Sequence, residues 1–210
     1  MMLFTRTTAV LLIFLCTFTG TISSASSILP QRSPRRLKTQ DRIYLVPLGA
    51  TSTPSLINLK SYYGQKFGLK VEILPLLQMD KESVDSKRRQ VIAEEAIRLM
   101  ERGCPEQAKD PTAIVIGITP FDMYIREKSW QYAFSFRQAG RFAVVSSARM
   151  NPVSYGSPVD SALLTSRVKK MVTKNIGVMY YKLPLNNNPR SVLFRSILGL
   201  EELDRVGEDF

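Results

Sequence analysis

The sequence contains no histidine among its 210 residues. This absence excludes Ser-His-Asp and Cys-His catalysis, and it excludes zinc sites built on imidazole ligands, including those of HExxH metalloproteases. Acidic residues are also few, because 18 Asp and Glu stand against 29 Lys and Arg and leave a net charge of +11. An active site in this chain would therefore have to use Lys, Asp, Glu, Ser, Tyr or Cys.

Cysteine is scarce as well, since the chain has two. The first, Cys16, lies in an apolar run at residues 9–18, which follows the positive charge of Arg6. Residues 1–25 have the layout of a secretory signal peptide with cleavage after Ala25, and the apolar run is shorter than a membrane span. An uncleaved N-terminal anchor is the alternative. We therefore predict a secreted or periplasmic protein with no stable transmembrane span.

Cleavage of the signal peptide would leave Cys104 as the single thiol, so that no internal disulfide could form. Cys104 lies in a Gly-Cys-Pro sequence that ends a predicted helix, and no base can be named that would activate it. We favour a loosely packed bystander over a reactive thiol.

Residues 26–40 contain four basic residues and no acidic one, with Ser and Pro between them. This composition is typical of a flexible basic leader. Such a leader can contact anionic lipid or nucleic acid. Because no aromatic residue is interleaved for stacking on bases, we favour a solvated linker.

From residue 41 onward the sequence alternates between short β-rich runs and amphipathic helices. The predicted strands lie at residues 43–48, 71–74, 113–118, 130–137 and 142–147. The predicted helices lie at residues 53–67, 86–100 and 158–181, with a further helix signal within 191–210. In the helix at 86–100, Val91 and Ile92 belong to the apolar stripe, and Glu94 and Glu95 lie outside it. This order predicts one α/β domain over residues 41–210, with a twisted mixed sheet and flanking helices.

Several motifs of this domain form an ordered set. The clearest are IYLVPLG at 43–49, GITPFDMY at 117–124, YAFSFRQA at 132–139 and RFAVVSSARM at 141–150. An Arg-x-x-Lys sequence at 167–170 then enters the long helix. Taken in this order, the segments resemble the archaemetzincin family of zinc metalloproteases. The resemblance covers most of the chain after residue 41 and implies a metzincin-like domain whose long helix corresponds to the active-site helix of the family.

The long helix departs from the family at the zinc site. The family places HExxHxxGxxH after the Arg-x-x-Lys sequence, where two histidines four residues apart reach one zinc and the glutamate acts as general base. Matching from the lysines puts Thr173 at the first His and Lys174 at the Glu. It puts Gly177 at the second His and Leu183 at the third. All three zinc ligands are thus absent and a cation replaces the base. We predict no catalytic residue, no zinc and no other cofactor.

Three functions are compatible with this sequence. The first is an exported, catalytically inactive archaemetzincin-like protein that serves structurally or binds an unknown protein. In that case we expect any retained binding near the former cleft, and Lys174, Tyr180 and Tyr181 are the residues to test.

The second function is a hydrolase or peptidase with a mechanism that needs no histidine. A hydroxyl of Ser146, Ser147 or Thr173 could pair with Lys170 or Lys174 if burial lowered the pKa of the lysine. No spacing signature supports this dyad, and strand-end serines with solvated or snorkelling lysines are the simpler interpretation. The pair formed by Asp122 and Glu127 is similarly weak, since Asp122 is placed to close the turn after its strand.

The third function is binding to an anionic envelope component, either lipid or cell-wall polymer. The long helix supplies Arg167, Lys169, Lys170 and Lys174 to such a surface. A run of like charges is more often a solvated helix face. Export argues against nucleic acid as the partner.

Overall fold

A computed structural model describes residues 42–210 of the protein. The predicted signal peptide (1–25) and basic leader (26–40) lie outside the described residues. The strands are β1 (Ile43–Pro47), β2 (Val71–Ile73), β3 (Val84–Asp85), β4 (Gln90–Ile92), β5 (Ile114–Thr119), β6 (Met123–Tyr124), β7 (Ser135–Gln138) and β8 (Phe142–Ser146). The helices are α1 (Thr53–Phe67), α2 (Ala93–Gly103), α3 (Pro105–Lys109), α4 (Ser161–Met179) and α5 (Leu200–Arg205), with short 3-10 helices at Ala148–Met150 and Pro152–Tyr155. Within residues 42–210, no helix combines the length and the apolar character needed to cross a membrane.

Five strands form the main sheet in the order β2-β1-β5-β8-β7. The first four run parallel, and β7 pairs antiparallel with β8 at one edge. β1, β5 and β8 are buried along their whole length, which is typical of apolar strands covered by helices on both faces. The predicted mixed α/β domain is confirmed, and so is its buried central strand at 113–118.

Helices cover both faces of the main sheet, α1 and α4 on one side and α2 on the other. Successive residues of a strand point to opposite faces. Leu45 of β1 accordingly packs in one cluster with Leu56 of α1 and Val172 of α4. Its neighbour Val46 lies in a second cluster with Ile97 of α2. Helix α4 is therefore held by the same core as the sheet.

The predicted helix at 86–100 is wrong in its first half. Residues 90–92 form β4, which pairs with β3 and with β6, and α2 begins only at Ala93. Val91 donates its backbone N–H to the carbonyl of Asp122 at 2.7 Å. Two adjacent apolar residues suit a strand and a helix equally well, so pairing with the distant β6 decides between them.

The acidic residues at the start of α2 are buried, contrary to the prediction that they lie on its solvent side. Glu94 accepts the backbone N–H of Arg126 at 2.9 Å. Glu95 pairs with Arg126 at 2.9 Å and with Arg98 at 2.8 Å. Burial opposes ionisation of Glu95, but hydrogen bonds from the two guanidinium groups lower its pKa below the ordinary value. These contacts tie α2 to the chain that follows β6.

Several of the other predicted elements are shorter in the structure. The strand expected at 130–137 is confirmed only at its end, because β8 pairs with residues 135–138 and the preceding residues follow an irregular path. On that path Ala133 donates its N–H to the carbonyl of Met123 at 2.7 Å. The long helix expected at 158–181 spans Ser161–Met179.

Candidate functional site

A pocket of about 390 Å³ lies between β7, the chain before it, the C-terminal half of α4 and residues 195–198. Its apolar wall includes three aromatic side chains, which are Trp130, Tyr132 and Phe134. Three cations also line it: Arg137, Lys174 and Arg195. Asp and Glu are absent from the described residues around this pocket, so its lining charge is positive throughout.

Lys174 is the most buried of these three cations and is only 4% exposed. Its ammonium donates a hydrogen bond to the carbonyl of Phe194. Burial, and then the nearby positive charge of Arg137, lower the pKa of Lys174 to about 8. The chemistry offered here is that of a buried hydrogen-bond donor that is still mostly charged at neutral pH.

Arg137 lies on the edge strand β7 and contacts α4 through an amide. Its guanidinium donates to the Asn175 Oδ1 at 2.9 Å, and the Asn175 Nδ2 donates to the Ser135 Oγ at 2.9 Å. Burial lowers the pKa of Arg137 below its ordinary value. Lys174, which is buried, and Arg137, which is partly buried, thus each donate to a neutral oxygen, a carbonyl for Lys174 and an amide for Arg137.

Thr173 faces the core, away from this pocket. Its side chain is fully buried, and its Oγ1 lies 3.0 Å from the Tyr63 hydroxyl of α1. The same hydroxyl donates to the carbonyl of Lys169 at 3.0 Å. The hydroxyl group at this position is therefore used in packing α1 against α4.

Gly177 lies on the part of α4 that is covered by Leu193 and Phe210. A Cβ atom at this position would come within 2.9 Å of the Leu193 Cδ2 and 3.2 Å of the Phe210 Cδ1. Leu183, which follows the helix, donates its backbone N–H to the carbonyl of Gly177 at 2.9 Å. The position leaves no room for a larger side chain unless these neighbours move.

Tyr180 and Tyr181 do not line the pocket around Lys174 within the described residues. Their rings contact each other at 5.0 Å between centroids, and Tyr181 also contacts Phe210 at 5.0 Å. Burial raises the pKa of Tyr181. Of the three residues expected to mark a cleft, the structure thus brings only Lys174 to the pocket.

The basic residues of α4 do not form an exposed face, which corrects the surface considered in the sequence analysis. Arg167 is buried and makes two hydrogen bonds to the carboxylate of Asp204, at 2.7 and 2.6 Å. Lys170 is buried and donates to the carbonyls of Leu203 and Asp204 at 3.0 and 3.1 Å. Lys169 pairs with Glu208 at 2.6 Å. These cations hold residues 203–208, the C-terminal segment, against α4.

The lysine dyads considered from the sequence are not assembled by hydrogen bonds in the described part of the chain. The Ser146 Oγ donates to the carbonyl of Phe121 at 2.6 Å, and the Ser147 Oγ to the carbonyl of Thr119 at 3.3 Å. Both hydroxyls are used at the ends of strands, as the simpler interpretation predicts. The interpretation of the lysines as solvated or snorkelling is wrong, because Lys170 and Lys174 are both buried and their ammonium groups donate to backbone carbonyls.

Asp122 closes the turn after β5 by accepting the backbone N–H of Met123 at 3.0 Å. Its second oxygen accepts from the Gln90 Nε2 at 2.9 Å and from the guanidinium of Arg149 at 2.7 Å. The structural role expected for Asp122 is confirmed. Its carboxylate contacts are with these groups and not with Glu127.

The residues around Lys174 do not fit zinc. Across residues 42–210, no cluster of three or more His, Cys, Asp or Glu side chains is arranged to hold a metal ion. The charged groups that line the pocket are one ammonium and two guanidinium groups, which repel cations and offer no lone pair while charged. Cys104, the one cysteine among these residues, is buried in the cluster on the α2 face, where burial raises its thiol pKa.

The pocket uses two cations that sequence reasoning missed. Arg137 belongs to a segment that resembled the family, and Arg195 lies in the chain between α4 and α5. Neither carries a local signal of function, because only the folded chain brings them to Lys174.

No protein-family model matches this sequence. The chain is similar to curated archaemetzincins from two archaea. It is 29% identical to that of Pyrococcus furiosus over 151 residues, which are 67% of this chain and 74% of the relative. It is 29% identical to that of Methanocaldococcus jannaschii over 141 residues, which are 65% of this chain and 70% of the relative.

Solved structures of this kind share the fold. The archaemetzincin of Archaeoglobus fulgidus in complex with malonate has a TM-score of 0.63 and 23% identity, over 80% of this chain and 94% of its own. A zinc-dependent peptidase of Methanocorpusculum labreanum has a TM-score of 0.67 and 20% identity, over 80% of this chain and 95% of its own. The archaemetzincin of Methanopyrus kandleri has a TM-score of 0.61 and 21% identity, over 83% and 92%. The resemblance found in the sequence is confirmed.

Proposed function

We propose that this archaemetzincin-like chain is exported and acts as a binding domain without peptidase activity, with its ligand in the pocket around Lys174. The observation that carries the proposal is the buried ammonium of Lys174, on the helix where the family holds its metal. A cation at this point repels a metal ion and, while charged, accepts no proton. The chain keeps a pocket there, which favours retained binding over a purely structural role.

We also infer that the zinc motif of the family aligns with α4 one residue later than in the match made from the Arg-x-x-Lys sequence at 167–170. Thr173 points into the core and Gly177 is closed off by Leu193, so neither suits a ligand that reaches an open site. In the later register Lys174 stands at the first His and Val178, one helical turn onward, at the second. Both registers lack histidine, so the proposed loss of peptidase activity does not depend on the choice.

The test of this proposal is the metal content and peptidase activity of the purified full-length chain, prepared without a histidine tag. We expect a folded protein by circular dichroism, no stoichiometric zinc by mass spectrometry, and no cleavage of a mixed peptide library with or without added zinc. One tightly bound zinc per chain together with peptide cleavage would overturn the proposal.

Export is tested separately by fractionating cells that produce the chain. We expect the protein outside the cytoplasm, with an N-terminus at Ser26 by protein sequencing. A cytoplasmic protein that begins at the first residues of the sequence would contradict export and leave the binding proposal to stand on its own test.

A further inference from the structure

The pocket around Lys174 places a buried cation, Lys174, next to a partly buried one, Arg137, with no anion among the described residues that line it. Lys174 donates to the Phe194 carbonyl and Arg137 to the Asn175 amide oxygen. The two positive charges repel each other, which is one reason for the lowered pKa of Lys174. Arg195 adds a third positive charge to the same lining.

Burial of a charge is costly unless an opposite charge or strong hydrogen bonds compensate for it. The same helix shows the usual compensation at Arg167, where the carboxylate of Asp204 makes two hydrogen bonds to the guanidinium. The pocket has no such carboxylate among the described residues that line it. An anion from outside the chain would supply what Asp204 supplies at the other end of the helix.

The shape and walls of the pocket limit the kind of anion. A volume of about 390 Å³ falls in the range of small-ligand sites. The walls next to the cations are apolar, with Tyr132 and Phe134 packed edge to face at 5.4 Å and with Met171 and Ile197 beside them. Such walls favour a ligand with an apolar body and disfavour a fully polar anion such as phosphate.

We propose that this pocket binds a carboxylate attached to a compact apolar body, with the carboxylate hydrogen-bonded by Lys174 and Arg137 and the apolar body against the aromatic wall. The inference rests on the proposed binding function and names its ligand class. The shared chemistry occurs in two sources, a small free carboxylic acid and the C-terminal residue of a peptide.

Trp130 is the single tryptophan of the chain and lines the pocket, so its fluorescence reports occupancy directly. The full-length chain is titrated with hexanoate, with a tripeptide that ends in phenylalanine, and with the same tripeptide as its C-terminal amide. We expect saturable binding of hexanoate or of the free-acid peptide, whichever is the source, and at least about tenfold weaker binding of the amide because a charge-assisted hydrogen bond is lost. If the free-acid peptide binds and its amide binds equally well, the inference is overturned.

The matched variants are Lys174→Met, which keeps the length of the side chain without its charge, and Lys60→Met on the exposed side of α1. We expect Lys174→Met to weaken binding at least about tenfold and Lys60→Met to leave it unchanged, with both variants folded by circular dichroism. Binding that survives Lys174→Met would refute the carboxylate site. If the zinc-free chain binds none of the three probes, this inference is also refuted. The proposed function is refuted only by bound zinc together with peptide cleavage.

Discussion

In the N-terminal half of α4, Arg167 lies against the carboxylate of Asp204, and Lys170 donates to two backbone carbonyls. In the C-terminal half, Lys174 is as deeply buried, but its neighbours are a carbonyl and another cation. The first arrangement is complete within the chain and holds the C-terminal segment in place. The second is incomplete, since a buried charge without an opposite charge reduces stability. The contrast separates cations that serve the fold from cations available to a ligand.

The largest effect on the free energy of unfolding is expected when the carboxylate paired with Arg167 is removed. Asp204→Ala leaves the buried guanidinium of Arg167 with the Met150 carbonyl and the Tyr155 hydroxyl as partners. Because the Asp204 side chain is 41% exposed, we expect a loss of about 2 kcal/mol, below the usual cost of breaking a fully buried pair. Urea unfolding measures it. The control is Glu201→Ala, which removes the exposed partner of Arg205 and should cost less than about 0.5 kcal/mol.

A smaller effect of opposite sign on the free energy of unfolding is expected when the charge of Lys174, which has no anionic partner, is removed. Lys174→Met removes a buried charge, and we expect it to stabilise the protein at pH 7 by roughly 1 kcal/mol after the lost hydrogen bond to Phe194 is counted. The pKa of Lys174 is about 8 in the folded chain and near 10.4 when unfolded. Below pH 8 the lysine is charged in both states and the cost of burying it is fully present. Between these two pKa values the folded chain loses its proton first, so the stability of the unmodified protein rises with pH.

The gain from Lys174→Met should therefore shrink as the pH rises from about 8 to 10.4. Urea unfolding of both proteins across this range measures the difference directly, because titration of the other lysines affects both alike. A gain that stayed constant with pH would contradict the cost assigned to the buried ammonium.

The smallest effect on stability is expected when a carboxylate is added beside Arg137, so that both halves of α4 contact a cation paired with an anion. Asn175→Asp keeps the shape of the side chain and puts a carboxylate next to Arg137, as Asp204 stands next to Arg167. We expect a gain of about 0.5 kcal/mol and weaker binding of the carboxylate probe, since the new anion competes for the same cations. Thermal unfolding and the Trp130 titration check the two effects, and unchanged binding would show that Arg137 takes no part in the site.

Local signals account for the elements that the sequence predicted well. Helix α1 spans Thr53–Phe67 as expected, because Pro54 suits its first turn and Gly68 ends it with a left-handed φ of 64°. The strand at 113–118 was recognisable from its continuous apolar run. By contrast, β4 depends on pairing with β6, which no local pattern reveals.

The candidate site was predictable only in part. The apolar spacing placed Lys174 on the long helix and the family resemblance marked that helix as the former active-site helix. Neither predicted the burial of Lys174, because a lysine in an amphipathic helix is usually solvated. Tyr180 and Tyr181 are close to it in sequence yet do not line the pocket, since they follow the end of α4 and their rings pack on each other and on Phe210. Arg137 and Arg195 reach the pocket through the sheet and the chain between α4 and α5, which local periodicity does not describe.

The buried thiol of Cys104 lies between α2 and α3, on the opposite side of the main sheet from the pocket. Alkylating reagents modify a thiolate only when solvent reaches it. In a Cys16→Ser chain, the rate at which iodoacetamide modifies Cys104 would thus report how often this corner opens, as hydrogen exchange does for an amide. The chain carries a built-in reporter of local opening, whose rate should stay the same when the pocket is filled if the two faces of the sheet open independently.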